Sequence, residues 1–131
     1  MSSKYLTNDD LHLNRLNSKF KISKIGCSVN NEDINVVKVG NGNIKVLAWS
    51  QMHGNESTST KSLLDFINAL NNDEFINILD ACTLHLIPIL NPDGARAYTR
   101  ENYNKVDLNR DAKINSQPES KILNNYFLKI K

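Results

Sequence analysis

Two apolar runs separated by a helical pattern constrain the fold of this chain most strongly. Residues 44–49 and 82–90 are rich in β-branched and other apolar side chains, as expected for buried strands. Between them, Leu63 and Ile67 begin an apolar stripe at helical spacing, which predicts a helix over residues 56–70. A strand, a helix and a second strand in this order indicate an α/β domain.

A second β-rich run, residues 34–39, lies just before the first of these strands. The Gly-Asn-Gly-Asn segment between them, residues 40–43, favours a tight turn, so the two runs are expected to form an antiparallel hairpin. The more continuous apolar character of residues 44–49 predicts a strand buried on both faces. Residues 20–26 alternate as a further half-buried strand would. We therefore expect a mixed, mostly parallel sheet flanked by helices.

The remaining segments carry weaker signals. Residues 8–18 show a weak helical pattern, and residues 95–112 have little periodicity and are predicted to form a long loop. Ser116 and Glu119 match a capping box at the start of a C-terminal helix. Because a helix in an α/β fold normally leads back to another strand, we expect residues 1–131 to be the N-terminal part of a single domain that is incomplete at its C-terminus.

The charge composition argues against several classes of partner. The 16 basic and 14 acidic residues give a formal net charge of +2 and form no basic block, so neither nucleic-acid binding nor membrane binding is expected. No apolar run approaches the roughly 20 residues of a membrane span, and the first residues do not resemble a signal peptide, which predicts a cytoplasmic location. Cys27 and Cys82 lie far apart and outside any CxxC pattern, which favours free thiols.

The clearest chemical feature is the HxxE pattern formed by His53 and Glu56. Imidazole and carboxylate are both good zinc ligands, and the pattern directly follows a predicted buried strand. Open α/β sheets place ligands at the carboxyl ends of their strands, which favours a binding site here. HxxE alone is weak evidence, because an exposed histidine followed by a glutamate that favours a helix N-terminus gives the same pattern.

A second group of polar residues follows the other buried strand. The sequence NPDG occupies residues 91–94, and it is followed by Arg100, Asn109 and Arg110. NPDG on its own predicts a turn, and arginines in a polar loop are usually solvated. At the same edge of the sheet as His53, however, a guanidinium group offers a rigid fork of donors for a carboxylate or an oxyanion.

These motifs together resemble the zinc carboxypeptidases of the M14 type. The resemblance is carried by WSQMHGNE at residues 49–56, PILNPDG at residues 88–94, Arg100, and VDLNRD at residues 106–111. It covers roughly residues 44–112, and its order along the chain is that of the family.

The resemblance implies a role for each matching residue. His53 and Glu56 correspond to two zinc ligands, and Arg100 corresponds to the arginine that polarises the scissile carbonyl. Asn109 and Arg110 correspond to the pair that holds the terminal carboxylate of the substrate. The implied cofactor is therefore zinc, and the implied partner is a peptide or a small carboxylate-bearing substrate.

The chain also departs from the family pattern. The family's third zinc ligand, a histidine, its general base, a glutamate, and a substrate-contacting tyrosine have no match, so they are expected beyond residue 131. His85 fits a packed strand residue and His12 a solvent-facing one. We therefore expect the 131-residue chain alone to be inactive and to self-associate through an open sheet edge.

The resulting hypothesis is a zinc-dependent metallocarboxypeptidase that hydrolyses the C-terminal peptide bond of its substrate. Two alternatives remain open on the sequence. One is a zinc deacylase of N-acyl amino acids, similar to aspartoacylase and succinylglutamate desuccinylase, which shares the HxxE and Asn-Arg elements. The other is a non-catalytic module that binds a carboxylate-bearing partner.

Overall fold

A computed structural model describes residues 5–131 as a sheet with helices on both faces. The strands are β1 (Lys21–Cys27), β2 (Asp33–Val39), β3 (Ile44–Trp49) and β4 (Cys82–Ile87). The α-helices are α1 (Ser57–Ala69), α2 (Ile76–Ala81), α3 (Pro92–Ala97), α4 (Leu108–Asp111) and α5 (Pro118–Ile130). Short 3₁₀ turns occupy Asn8–Asp10, Leu13–Arg15 and Asp73–Phe75. The predicted α/β class and the helix predicted over residues 56–70 are confirmed.

The four strands lie in the order β1-β2-β4-β3. β1 pairs with β2 and β2 with β4 in antiparallel fashion, whereas β3 pairs with β4 in parallel. The sheet is therefore mixed, as predicted, but within residues 5–131 its pairings are not mostly parallel.

The predicted hairpin between residues 34–39 and 44–49 is wrong, because β4 lies between β2 and β3. The connecting segment crosses the start of β4 instead of reversing the chain. The amides of Asn41 and Gly42 donate to the carbonyls of Leu79, at 3.0 Å, and Cys82, at 3.3 Å. A Cβ atom on Gly42 would lie 1.9 Å from the carbonyl carbon of Ala81. The glycine therefore permits a close crossing of two backbone segments.

Strand β3 is more exposed than its sequence predicts. Ile44 is 60% exposed and Trp49 44%, because β3 forms an edge of the sheet in the part of the chain that the structure describes. The central strand β4 has the deeply buried residues, including Leu86 and Ile87. An apolar run thus indicates that a strand tends to be buried, but it does not indicate how many strands lie beside it.

The core is divided between the two faces of the sheet. On one face, Ile67 of α1 packs with Val37 and Leu84. On the other face, Ile122 of α5 packs against a cluster that contains Ile87. The helices therefore cover both faces of the sheet and hold the ends of β3 and β4 in place.

The segment before α5 differs from its prediction. The predicted capping box is absent, since α5 begins at Pro118 and neither Ser116 nor Glu119 caps it. The backbone amide of Ser116 instead donates to Asp111 at 3.0 Å, and the buried Glu119 accepts from the amide of Val29 at 3.3 Å. Competing acceptors and donors elsewhere in the fold thus displace the local capping pattern.

Two predicted coil or helix segments also need correction. The predicted loop over residues 95–112 contains the end of α3 and all of α4, and the weak helix over residues 8–18 is two separate 3₁₀ turns.

Cys27 and Cys82 carry free thiols, as predicted. Among residues 5–131, no helix is both long enough and apolar enough to cross a membrane.

Candidate functional site

The candidate site lies where the parallel strands β3 and β4 end. The loops that leave these strands are joined by backbone hydrogen bonds, from Ser50 to the carbonyl of Ile87 at 3.0 Å and from Asn91 to the carbonyl of Gln51 at 3.1 Å. Parallel strands place their carboxyl ends at one edge of a sheet, so the HxxE and NPDG segments are brought together as the sequence predicts.

The loop that carries the HxxE pattern is held by a hydrogen bond between two of its own residues. Gln51 is buried, adopts a φ angle of 50° and donates from its side chain to the carbonyl of Gly54 at 2.7 Å. A Cβ atom on Gly54 would lie 2.0 Å from the carbonyl carbon of Gly94. Gly54 is therefore needed because the two loops touch at this point.

The NPDG segment serves as a scaffold for the site. The side chain of Asn91 accepts from the amide of Gly94 at 2.9 Å and so caps α3. The Asn91 side-chain amide also donates to the carbonyls of Met52 and Arg100, at 3.2 and 3.4 Å. The Asp93 carboxylate accepts from the hydroxyl of Ser28 at 2.8 Å. The segment thus ties the two loops and the β1–β2 connection together.

His53 has a carboxylate at each of its ring nitrogens. Its Nδ1 lies 3.2 Å from Oε1 of Glu56, and its Nε2 lies 3.0 Å from Oδ1 of Asp107. The His53 side chain is 12% exposed, whereas that of Glu56 is 58% exposed. His53 and Glu56, the pair predicted from the sequence, are therefore in contact, and Asp107 binds the other ring nitrogen of His53.

Asp107 is the residue that joins the two halves of the site. Its Oδ1 accepts from the amide of Asn109 at 2.9 Å, as an N-cap of α4, and its Oδ2 accepts from Nε of Arg100 at 3.0 Å. Desolvation raises the pKa of Asp107, but hydrogen bonds from His53, Arg100 and the Asn109 amide outweigh it and lower the pKa to about 2. The carboxylate is therefore ionised at neutral pH.

Asp107 lies within the VDLNRD motif, but the sequence alone indicates no role for it. The available signal was its place just before α4, where aspartate is common as a helix cap. Capping alone would explain the residue, so its second and third contacts appear only in the fold.

Arg100 lies beside the histidine pair. Besides its bond to Asp107, its terminal nitrogen is 3.8 Å from Oε1 of Glu56, and its carbonyl accepts from the amide of Gly54 at 3.4 Å. The side chain is 44% exposed, so the guanidinium faces solvent while its backbone is anchored. Part of its donor set therefore remains available to a ligand.

Asn109 and Arg110 are placed differently from the other predicted residues. Both lie exposed on α4, and their backbone amides bond to Asp107, that of Asn109 to Oδ1 at 2.9 Å and that of Arg110 to the carbonyl at 3.0 Å. Asn109 lines a largely apolar groove of about 460 Å³ that also contacts Trp49 and Phe127. The structure therefore brings these two residues near the site without joining their side chains to it.

Two side chains of the site are spaced nearly as two ligands of one metal ion would be. Among residues 5–131, no group of three or more His, Cys, Asp or Glu side chains is arranged to hold one. Two donors of a tetrahedral zinc ion lie about 3.3–3.6 Å apart, given bond lengths of about 2.0–2.2 Å. The 3.2 Å separation of His53 Nδ1 and Glu56 Oε1 is close to the lower end of this range. The residues present therefore fit part of a zinc site.

The other two histidines form no metal-binding group with His53 among residues 5–131. His85 is buried in β4, where its Nδ1 lies 2.7 Å from the hydroxyl of Tyr126, in agreement with the interpretation of a packed residue. His12 is exposed, as expected.

Comparison with known proteins places this geometry in context. A family model described as zinc carboxypeptidase matches residues 11–126. Carboxypeptidase SOL1 of Arabidopsis thaliana is 32% identical over 124 residues, which cover 82% of this chain and 25% of the relative. Carboxypeptidase M of Mus musculus is 34% identical over 88 residues, which cover 56% of this chain and 19% of the relative. The chain thus spans about a quarter or less of the length of these curated relatives.

A solved structure shares the fold. The metallo-carboxypeptidase from Pseudomonas aeruginosa, in complex with (2-guanidinoethylmercapto)succinic acid, superposes with a TM-score of 0.71 at 23% identity. The match covers 82% of this chain and 32% of that one. At this identity the likeness shows the fold alone.

Proposed function

Because this chain belongs to the zinc carboxypeptidase family, we propose that it supplies part of the active site of a metallocarboxypeptidase. The observation that carries the proposal is the arrangement around His53. With a metal ion bound, a ring proton on Nε2 would be donated to Asp107 at 3.0 Å and would leave the Nδ1 lone pair for the ion. Nδ1 lies 3.2 Å from Oε1 of Glu56, so the two atoms are close enough to bind one cation.

The proposed division of roles follows from these contacts. His53 and Glu56 would hold zinc, which when bound supplies a Lewis acid and lowers the pKa of a bound water. Asp107 fixes the tautomer and the orientation of the His53 ring, the usual task of a carboxylate behind a ligating histidine. The side chain of Asp107 is 19% exposed, so its bond to His53 is partly shielded from solvent.

Arg100 is proposed to bind the oxygen of the scissile carbonyl. Its Nε is occupied by Asp107, which holds the guanidinium plane and leaves its terminal N–H groups free to donate. A donor fixed in advance stabilises negative charge that develops on an oxygen during the reaction.

Asn109 and Arg110 are proposed to hold the terminal carboxylate of the substrate. Their support is the match to the family motif and their exposed position on α4, next to its N-cap residue Asp107. The complex of the Pseudomonas aeruginosa relative with a succinic acid derivative is consistent with a carboxylate-bearing ligand for this chain. The deacylase and the non-catalytic module are not favoured by the comparisons.

We propose that residues 1–131 form the N-terminal part of one catalytic domain and that the isolated chain does not hydrolyse peptides. Among the described residues, no group of three or more His, Cys, Asp or Glu side chains is arranged to hold a metal ion, so neither His12 nor His85 completes the ligand set of His53 and Glu56. A chain lacking a full ligand set and a placed base would not activate water.

The test uses the whole protein that carries this chain, assayed with peptides that end in a free carboxylate or in an amide. Arg100→Ala should lower kcat by about 10²–10³, the scale of one oxyanion donor. Arg110→Ala should mainly raise KM for the free acid, because it binds the ground state. The control is Arg96→Ala, which removes an exposed arginine paired with Glu32 outside the site. Equal cleavage of amides and acids, or one kinetic profile for both variants, would contradict the proposed roles.

A further inference from the structure

A second cavity lies between the sheet and α5, away from the candidate site. Its volume is about 690 Å³. None of its lining residues belongs to the candidate site formed by His53, Glu56, Arg100 and Asp107. Its lining includes four lysines, a histidine and a tyrosine, namely Lys24, Lys38, Lys45, Lys129, His85 and Tyr126.

The register of the sheet creates this cluster. Lys38 of β2 and Leu47 of β3 both lie directly opposite His85, on either side of β4. Lys45 is two residues before Leu47, so its side chain projects to the same face as His85. Residues that are far apart in the sequence thus surround one position of the central strand.

The charges at the cavity are unbalanced. Lys24 is paired with Asp33 at 2.7 Å, but Lys38, Lys45 and Lys129 have no carboxylate partner among residues 5–131. No Asp or Glu is found among the described residues that line the cavity. These three lysines are exposed, so their ammonium groups can reach the mouth of the cavity while their stems follow its walls.

His85 adds an unmet polar atom at the base of the cavity. The residue is 3% exposed, and its Nε2 has no hydrogen-bond partner among residues 5–131. Burial raises the pKa of Tyr126, so the phenol keeps its proton at neutral pH, and its hydroxyl lies 2.7 Å from Nδ1 of His85. Desolvation, followed by Lys38 and Lys45, lowers the pKa of His85, which favours a neutral ring. A buried ring nitrogen without a hydrogen-bond partner is a rare and costly arrangement.

We propose that this cavity binds a small phosphate monoester, with the phosphate between Lys38, Lys45 and Lys129 and above His85. A phosphate dianion supplies enough acceptor oxygens for three ammonium groups. The apolar side chains of the lining, among them Ile25 and Ile122, are suited to the carbon part of the ester. A site of this kind is independent of the proposed hydrolysis, because it contains none of its residues.

The test is calorimetric titration of the 131-residue chain with phenyl phosphate at constant ionic strength. Saturable one-to-one binding is expected, and inorganic phosphate should bind more weakly because it lacks an apolar part. The double variant Lys38→Gln, Lys45→Gln should lose affinity by at least about tenfold, since charge-assisted hydrogen bonds are among the strongest. The ¹⁵N resonances of the His85 ring should shift with saturation.

The matched control removes the same charge elsewhere. Lys113 and Lys121 are exposed and do not line the cavity, so Lys113→Gln, Lys121→Gln should bind phenyl phosphate within about twofold of the unmodified chain. Circular dichroism checks that both variants are folded. The proposal is overturned by an absence of saturable binding, by an equal loss in the control, or by benzoate or inorganic phosphate binding as tightly as phenyl phosphate.

Discussion

The candidate site and the lysine-lined cavity each contain a histidine, and the two are partnered in opposite ways. His53 has a carboxylate at both ring nitrogens, whereas His85 has one hydroxyl partner and one nitrogen with no partner among residues 5–131. Around His53 lie carboxylates of Glu56 and Asp107 and the guanidinium group of Arg100, which are in contact with one another. Three lysines around the cavity, in contrast, have no carboxylate partner among the described residues. The first region is a preorganised network of opposite charges, whereas the second concentrates positive charge.

The largest expected difference between the two regions is in zinc affinity. His53→Ala should weaken zinc binding by about 100-fold or more, because it removes a direct ligand, while the loss of a residue that only bonds to a ligand costs about 10–100-fold. His85→Asn should leave zinc binding unchanged, because the cavity shares no residue with the site. Titration with zinc and a chelating indicator measures both. Equal losses in the two variants would remove the distinction between the regions.

A change in the contact between the two site loops should have the next largest effect. Gly54→Ala places a methyl group against the backbone of Gly94, so we expect a loss of about 1–3 kcal/mol in the free energy of unfolding. Phenyl phosphate binding at the cavity should persist in the folded fraction. The control is Asn55→Ala, an exposed neighbour in the same loop. Urea denaturation gives the measurement, and an unchanged midpoint for Gly54→Ala would mean that the loops can separate without cost.

A pH-dependent effect should arise where the two regions join. Asp111 at the end of α4 accepts from the amides of Ser116 and Gln117, at 3.0 and 2.9 Å, just before α5. Burial raises the pKa of Asp111, but these bonds and that of the Ser116 hydroxyl lower it to about 2.

The sign of the effect follows from the direction of this shift. Because the folded pKa is below the unfolded value of 3.8, the stabilisation is complete above about pH 4 and is lost as the pH falls toward 2. Its size is about 2 kcal/mol. Denaturation between pH 2 and 6 should show this slope in the unmodified chain and a smaller one in Asp111→Asn. Parallel curves for the two proteins would disprove the assignment.

The smallest expected effect concerns the one partner of His85. Tyr126→Phe removes the hydroxyl that bonds Nδ1, so we expect a loss of about 1 kcal/mol in the free energy of unfolding. Zinc affinity should not change. Tyr103→Phe is the control, since Tyr103 is 59% exposed. A larger loss in the control than in Tyr126→Phe would show that the His85–Tyr126 bond contributes nothing.

The sequence predicts the first region much better than the second. His53, Glu56 and Arg100 follow directly from motifs that sit at strand ends, and the parallel pairing of β3 with β4 brings them together. The position of Asp107 before a helix could be predicted, but its contacts with His53 and Arg100 could not, because an aspartate at that position is explained by helix capping alone. Lys38 and Lys45 carry no motif, and only the register of three strands makes them neighbours.

The errors in the fold have one physical source. Apolar runs and glycines report local conformation and burial, but they do not report which strand lies beside which. Gly42 suited a hairpin turn and in fact permits a close crossing near Ala81. The apolar run of β3 suited a buried strand, although within residues 5–131 it has β4 as its only neighbour. Helix α1 was predicted well because its stripe of apolar residues is a local periodic signal.

The position of β4 between β2 and β3 has a consequence for the order of assembly. During synthesis β2 and β3 emerge first, but they cannot pair with each other and must await residues 82–87. The β1–β2 ribbon can form early from local contacts, whereas β3 docks only after residues 50–81 have closed a loop. Until then an apolar strand remains unpaired as the chain leaves the ribosome. Chaperone dependence during translation should therefore be concentrated in the interval between β3 and β4.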